Sequence, residues 1–251
     1  MRTAVRGSAR REHRLPQSPS RSPHKGPSFA SWTASGETAT LDLPPIDGLS
    51  QIPYDIAWSG TGWIATHPDE GIWLFDGNTF NRTAPIGGSF LECGDNTCLV
   101  AGYGETMGAS DDGGETWQQL AHSSVIPMAN DGSRFVAYDN NTGGLAYSDD
   151  GGDTWTPANV EYLIFTPFVG MYADGAFILI DGGGNVITSP DGIDWTVTAV
   201  GVTLQNVTWS ESQQIYVGYD SFDLYASEDG VTWIHQPDGA GGVGLQAIGG
   251  I

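Results

Sequence analysis

The sequence predicts an all-β fold, a β-propeller of four-stranded blades, on three observations. The stretch SDDGGETW at 110–117 recurs almost unchanged as SDDGGDTW at 148–155. Shorter versions, SPDGIDW (189–195), SEDGVTW (227–233) and LFDGNTF (74–80), place the aromatics Phe80, Trp117, Trp155, Trp195 and Trp233 at spacings of 37, 38, 40 and 38. A period near 40 residues suits one blade. The chain between these stretches is strand-like and carries no amphipathic helical periodicity.

Taken in chain order, residues 1–28 read as a disordered basic head rich in Arg, Ser and Pro, without the apolar run of a secretory signal. Residues 29–50 read as a linker or the remnant of an eroded blade, and 51–251 as the propeller. Of the nine Lys and Arg in the chain, seven lie in the first 25 residues (Arg2, Arg6, Arg10, Arg11, Arg14, Arg21, Lys25), where Glu12 is the one acid. The remainder keeps Arg82 and Arg134 against nearly all of the 30 acidic residues. Such a surface repels nucleic acid and anionic membranes and favours cations or basic partners. Nowhere does an apolar stretch approach the length of a membrane span.

Within each unit the upstream residues favour strands. Arg134–Tyr138, Ala176–Ile180 and Gln214–Gly218 are rich in β-branched and aromatic residues, and the first two follow the turns Asn130-Asp-Gly132 and Ala173-Asp-Gly175. Each unit therefore reads as strand A, a tight turn, strand B, a variable loop, strand C, the Asp-Gly turn, and strand D with its aromatic. At the C–D reversal the glycines, Gly114 and Gly152 among them, supply positive φ. The carboxylate of Asp112 or Asp150 accepts backbone N–H groups across the turn, and Ser110 or Ser148 opens it. Trp117 or Trp155 then anchors the turn by burying its ring. The short forms do the same through Ser189, Asp191, Gly192 and Trp195, and through Ser227, Asp229, Gly230 and Trp233; the degenerate copy retains Asp76.

These residues, S-x-D-x-G-x-T-W and S-x-D-G-x-x-W at blade spacing, resemble the Asp-box, or BNR, repeats of sialidase-like β-propellers. That group includes sialidases, xyloglucan-degrading endoglucanases, sortilin-type receptors and photosystem assembly factors. The resemblance spans about 51–251. It implies that the boxes sit on outer blade edges, away from a central site on the top face. Leu245-Gln-Ala-Ile-Gly249 resembles Leu204-Gln-Asn-Val-Thr208, the first strand of the preceding unit. Either five blades close with overhanging ends, or the chain is a piece of a larger ring.

In this strand order the B–C loops share one rim. They carry Tyr103, Glu105, Tyr138, Asp139, Asp181, Tyr219, Asp220 and Asp223, together with His67, Asp69 and Glu70. Carboxylates beside tyrosines suit sugar hydroxyls, Ca²⁺ or a basic protein surface; solvated acidic loops are the plainer reading. No other cofactor is expected. Sialidase chemistry requires an arginine triad, and two arginines in the body argue against it. A xyloglucanase-like reaction needs a carboxylate pair, for which Asp181 with Asp220 is one choice.

Cys93 and Cys98 bracket an expected A–B hairpin, and two cysteines with no others fit one disulfide in an extracellular or periplasmic protein. The sequons at Asn81, Asn140 and Asn206 matter only in a glycosylating host. Gly239-Ala-Gly-Gly-Val-Gly244 matches a dinucleotide fingerprint by letter but lacks the strand and helix it requires. Trp58 and Trp209, at equivalent ends of strand A, are read as packing residues. The function expected is a non-catalytic extracellular binding module or scaffold for a glycan or protein, the alternative being a glycoside hydrolase.

Overall fold

The computed structural model describes residues 52–75, 77, 79–102, 104, 106–160, 167–220 and 223–236, and the backbone of 31–34 and 37–40; at 167 and 168 too only the backbone is described. Two compact units divide the chain, Met1–Pro45 and Ile46–Ile251. In the first, β1 (Ser31–Ala34) pairs antiparallel with β2 (Glu37–Thr40), Ser31 opposite Thr40. The whole expected head, the 239–244 glycine stretch and the 245–249 repeat start lie outside the described residues.

The second unit contains five sheets of sequence-consecutive antiparallel strands. Blade I is β3 (Asp55–Trp58), β4 (Trp63–His67), β5 (Gly71–Phe75) and β6 (Phe80–Ala84). Blade II is β7 (Phe90–Cys93), β8 (Cys98–Ala101), β9 (Gly108–Ser110) and β10 (Gln118–Gln119). Blade III is β11 (Val125–Asn130), β12 (Phe135–Asp139), β13 (Gly144–Ser148) and β14 (Thr156–Pro157). A short strand β15 (Asn159–Val160) then crosses to the next sheet. Blade IV is β16 (Pro167–Ala173), β17 (Ala176–Asp181), β18 (Asn185–Ser189) and β19 (Asp194–Ala199), and blade V is β20 (Asn206–Ser210), β21 (Ile215–Tyr219), β22 (Leu224–Ser227) and β23 (Ile234–Gln236). Because β15 pairs parallel to β19, blade IV carries a fifth, outer strand that covers its exposed edge.

Local chemistry sets the reversals. Between β16 and β17 both Asp174 (φ 50°) and Gly175 (φ 76°) adopt the left-handed backbone that a two-residue hairpin loop needs. Between β11 and β12, Asp131 Oδ1 accepts the N–H groups of Ser133 at 2.9 Å and Arg134 at 2.7 Å. Across the A–B turn of blade II, Cys93 stands opposite Cys98 with Cα atoms 4.0 Å apart, and the two form a disulfide.

The cores lie between blades. Leu99, Ala101, Met107 and Leu120 of blade II meet Phe135 of blade III. Val136, Tyr138 and Leu145 of blade III pack with Phe177, Ile187 and Trp195 of blade IV. Blade IV in turn shares Ile178, Ile180 and Val186 with Val207, Tyr216 and Tyr225 of blade V. Contact between consecutive blades is thus what buries the apolar faces that they turn toward each other.

Candidate functional site

The outer turns are braced as their sequence dictates. Ser110 Oγ donates to Asp112 Oδ1 at 2.8 Å and accepts Gly114 N–H at 2.9 Å, while Thr116 gives Asp112 both its N–H and its hydroxyl. Ser148, Asp150, Gly152 and Thr154 repeat this network. In the short forms Asp191 Oδ1 takes the N–H groups of Ile193 and Asp194, and Asp229 Oδ1 those of Val231 and Thr232. The long form carries two consecutive glycines at positive φ (Gly113 and Gly114, Gly151 and Gly152), and the short form one (Gly192, Gly230). That is the physical difference between the two spellings. Asp76 lies outside the described residues.

A contact invisible in the sequence gives the turn glycines a second role. A Cβ on Gly114, Gly152, Gly192 or Gly230 would meet Ile64, Leu99, Val136 or Ile178 at 2.6 to 3.0 Å. Each is the second or third residue of strand B of the preceding blade, so the turn docks blade to blade. The tryptophans were expected to be buried alike. Trp195 is buried, whereas Trp117, Trp155 and Trp233 are half-buried. Arg134 reinforces the same seam, gripping Asp149 through Nε at 2.6 Å and Nη2 at 2.9 Å and reaching the Asp191 carbonyl of the next blade.

On the rim, the acids are engaged in their own loops. Asp139 accepts Asn141 N–H and the Thr142 hydroxyl. Asp181 is fully buried and accepts Gly183 N–H, Asn185 N–H and the Asn185 side-chain amide. Asp220 accepts Asp223 N–H at 2.8 Å and the Tyr225 hydroxyl at 3.0 Å, and Asp223 lies 3.1 Å from His235 Nε2. Tyr138 and Tyr219 are buried. Tyr103 and Glu105 lie outside the described residues. The rim brings Asp220, Asp223, Tyr225 and His235 together within one blade.

A different pair of carboxyls converges at the centre. All five inner strands, β3, β7, β11, β16 and β20, line one cavity of about 460 Å³. Asp55 of β3 and Glu92 of β7 open into it beside Phe90, Tyr172 and Trp209, and none of the described lining residues is basic. Asp55 accepts Leu91 N–H at 2.9 Å through Oδ2 and Ile56 N–H at 2.8 Å through Oδ1. Asn130 of β11 donates to Glu92 Oε2 at 2.9 Å and to the Cys93 carbonyl at 3.1 Å. Both carboxyls keep some accessible surface toward the channel, yet packed protein surrounds them on the other sides. Desolvation therefore dominates, pushing Asp55 up to about 6 despite its two backbone hydrogen bonds. Glu92 is pushed up to about 8 by burial and then by the neighbouring Asp55 charge, with the Asn130 bond opposing.

This pair lies on strand A of its blades rather than in the B–C loops of the rim. A sequence signal did exist: each acid interrupts an apolar strand, YDIAW and FLEC. Trp209, read as a packing residue, does pack on Tyr216 with ring centroids 4.4 Å apart, but it also faces the channel. Trp58 stays half exposed against the edge of Trp63, which corrects its reading as a packed residue. Among the described residues no three His, Cys, Asp or Glu side chains gather as a metal-binding set, and no helix is long and apolar enough to cross a membrane.

Among the described residues, five antiparallel sheets, four of four strands and one with an added outer strand, set their inner strands around one channel and decide the architecture. The fold is a β-propeller. Solved structures agree: a YCF48 bound to D1 peptide superposes with a TM-score of 0.56 at 14% identity, covering 80% of this chain and 71% of its own. YCF48 from Cyanidioschyzon merolae gives 0.58 at 15% identity, with 76% and 73% covered. The GH74 enzyme of Niastella koreensis gives 0.55 at 18% identity, over 73% of this chain but 31% of the enzyme. These identities support likeness of fold alone. Neither a protein-family model nor a curated protein matches the sequence.

Proposed function

We propose that this propeller is a non-catalytic, Asp-box-type binding module that receives a protein or glycan partner at the mouth of its central channel, outside the reducing cytosol. The observation that carries this reading is the channel itself. Among the described residues it offers two carboxyls and three aromatic side chains and no cation. Such a lining suits an ammonium or guanidinium group of a basic partner, or the hydroxyls and faces of a sugar. A peptide complex is known for one structural neighbour, YCF48, which makes a protein partner the first choice. The Cys93–Cys98 disulfide supports an oxidising compartment.

Glycoside hydrolysis is the second reading. Its support is that Asp55 and Glu92 titrate apart, at about 6 and about 8, so that near neutral pH one is mostly ionised and the other mostly protonated. Against a sialidase-type reaction, none of the described channel-lining residues is an arginine.

Glycan and basic-peptide arrays probed with the full chain, with and without Ca²⁺, separate the two, run beside hydrolysis assays on xyloglucan and sialosides. Binding without turnover, weakened at least tenfold by Asp55→Asn, supports the module. Turnover abolished by Glu92→Gln would establish the hydrolase instead.

A further inference from the structure

Strand register sorts the channel groups by end. In blades II to V the last two residues of strand A, next to the A–B turn, include Glu92, Asn130, Tyr172 and Trp209. Asn130, Tyr172 and Trp209 stand opposite Phe135, Phe177 and Tyr216, and Glu92 is one residue short of Cys93, which stands opposite Cys98. Each of those strand-B residues in turn faces the first serine of its blade's outer turn, so the four inner groups share one depth. Glu92, Tyr172 and Trp209 line the cavity there, whereas Asp55, the first residue of β3, lies toward the other end. The A–B turns that frame this end add one exposed acid in each of the same blades, Asp95, Asp131, Asp174 and Glu211. Arg134, at the same end, is already gripped by Asp149. Glu211 accepts the Trp209 indole N–H at 2.7 Å and tethers that ring to the turn.

Glu92 is held at one oxygen and open at the other. Asn130 donates to Oε2, gives its other N–H to the Cys93 carbonyl and accepts Gly132 N–H at Oδ1, so its amide is spent on fixing the carboxyl. Oε1 accepts no hydrogen bond from any described residue. Around Glu92, β3 contributes Asp55, whose charge reaches it, β8 contributes Cys98, closed in the disulfide, and β11 has no titratable side chain; at the turn, Asp95 leans on Gly132. We propose that this end of the channel is a port for one cationic side chain, a lysine or arginine of a basic partner, which seats beside Tyr172 and Trp209 and pairs with Glu92 in exchange for the Glu92 proton. The inference rests on reading the channel as a binding site for such a partner. The Glu92 O–H bond breaks, the proton passes to solvent, and the carboxylate accepts an N–H of the incoming cation. Aromatic faces attract the same cation, and the four turn acids draw it to this mouth rather than to the B–C rim. Burial holds Glu92 up to about 8, so near pH 7 the proton is present to be displaced, and an opposite charge beside the carboxyl favours its ionised form.

Calorimetric titration of the full chain tests this with blocked glycine peptides carrying one lysine, one arginine or, as the neutral control, one norleucine, in buffers of different ionisation enthalpy. The cationic peptides should release about half to one proton each at pH 7, and their affinity should rise at least fivefold from pH 7 to pH 9. The norleucine peptide should bind at least tenfold more weakly. Glu92→Gln, which keeps an acceptor for Asn130, should bind the lysine peptide more weakly, release no proton and show no such rise. Cation binding without proton release, or release that persists in Glu92→Gln, would overturn the exchange and leave the binding reading standing. No preference for the cationic peptides, or no binding of any, would overturn both. A matched pair of exposed positions tests the port. Asn96→Lys, at the A–B turn of blade II, should weaken the lysine peptide at least threefold by repulsion, and Asn141→Lys, in the B–C loop of blade III at the opposite end, should leave it unchanged. An equal or reversed effect would overturn entry at this end.

Discussion

Asp229, in the outer turn of blade V, titrates at about 2, whereas Glu92, on the inner strand of blade II, titrates at about 8. Both are carboxyls on a strongly acidic chain. At Asp229 the N–H groups of Thr232 and Val231 dominate, the Thr232 and Ser227 hydroxyls add to them, and water still reaches the group. At Glu92 one amide from Asn130 opposes desolvation and a neighbouring carboxyl, and it loses. Converging donors stabilise an ion, and an apolar lining penalises one. The outer turns are therefore built to hold an ionised carboxylate, and the channel wall to hold a carboxyl in its neutral form.

The largest test of that division is in the outer turns. Trp195 is buried between blades III and IV, and its Nε1 donates to the Gly192 carbonyl at 3.1 Å. Trp195→Ala should lower stability by about 3–5 kcal/mol in urea denaturation. Trp155 is half-buried, and its Nε1 has no partner among the described residues. Trp155→Ala should cost only about 2 kcal/mol, since less surface leaves water. Equal losses would mean that the two turns are packed alike. Ligand affinity per folded molecule should not change in either variant.

Next in size is the docking of the turn glycines. Gly230→Ala places a methyl 2.9 Å from Ile178 Cδ1 at a φ of 72°. It should cost about 2–3 kcal/mol, combining backbone strain with overpacking. Gly77→Ala has the strain, at φ 97°, without the clash. About 1 kcal/mol is expected there. A cost at Gly77 equal to that at Gly230 would show that φ alone makes these glycines necessary.

The sequence announced the outer turns and concealed the channel, and the cause is range. In the turns, Ser110, Asp112, Gly114 and Thr116 contact one another within four residues, so their chemistry can be read from adjacent letters. The channel groups meet one repeat apart: Leu91 N–H reaches Asp55 across 36 residues and Asn130 reaches Glu92 across 38. Only the repeat period could have brought them together on paper. Rim acids, in contrast, are legible within single loops. Asp139, Asp181 and Asp220 look like ligand groups in composition, but loops recruit Asp to bind their own backbone.

Titrating the channel gives the third effect. Glu92 has a folded value of about 8, above its ordinary 4.5, so between these limits the native state holds a proton that the unfolded chain has released. Stability must then fall as pH rises through that window. Glu92→Gln removes the ionisation and retains an acceptor for Asn130. It should be nearly neutral at pH 5 and stabilising by about 1–3 kcal/mol at pH 8.5, read from urea midpoints. A variant equally stable relative to the parent at both pH values would place Glu92 in water and remove the contrast with Asp229.

The smallest effect has the opposite sign. Asp229 titrates at about 2, below its ordinary 3.8. Its contribution is therefore complete above pH 4 and is lost as pH falls toward 2. Asn at this position can still accept the N–H groups of Val231 and Thr232 at one oxygen, but its amide nitrogen cannot accept the Thr232 hydroxyl that Oδ2 takes at 2.9 Å. The carboxylate is exposed, so solvent screening reduces what the pKa shift would otherwise imply. About 1 kcal/mol is expected for Asp229→Asn at pH 7, shrinking to nothing near pH 2. Paired thermal melts of parent and variant from pH 7 to pH 2 measure it directly. A difference that persists undiminished at pH 2 would mean that the loss comes from the shape of the turn and not from the ion, and the outer acids would then be fold residues for a reason other than charge.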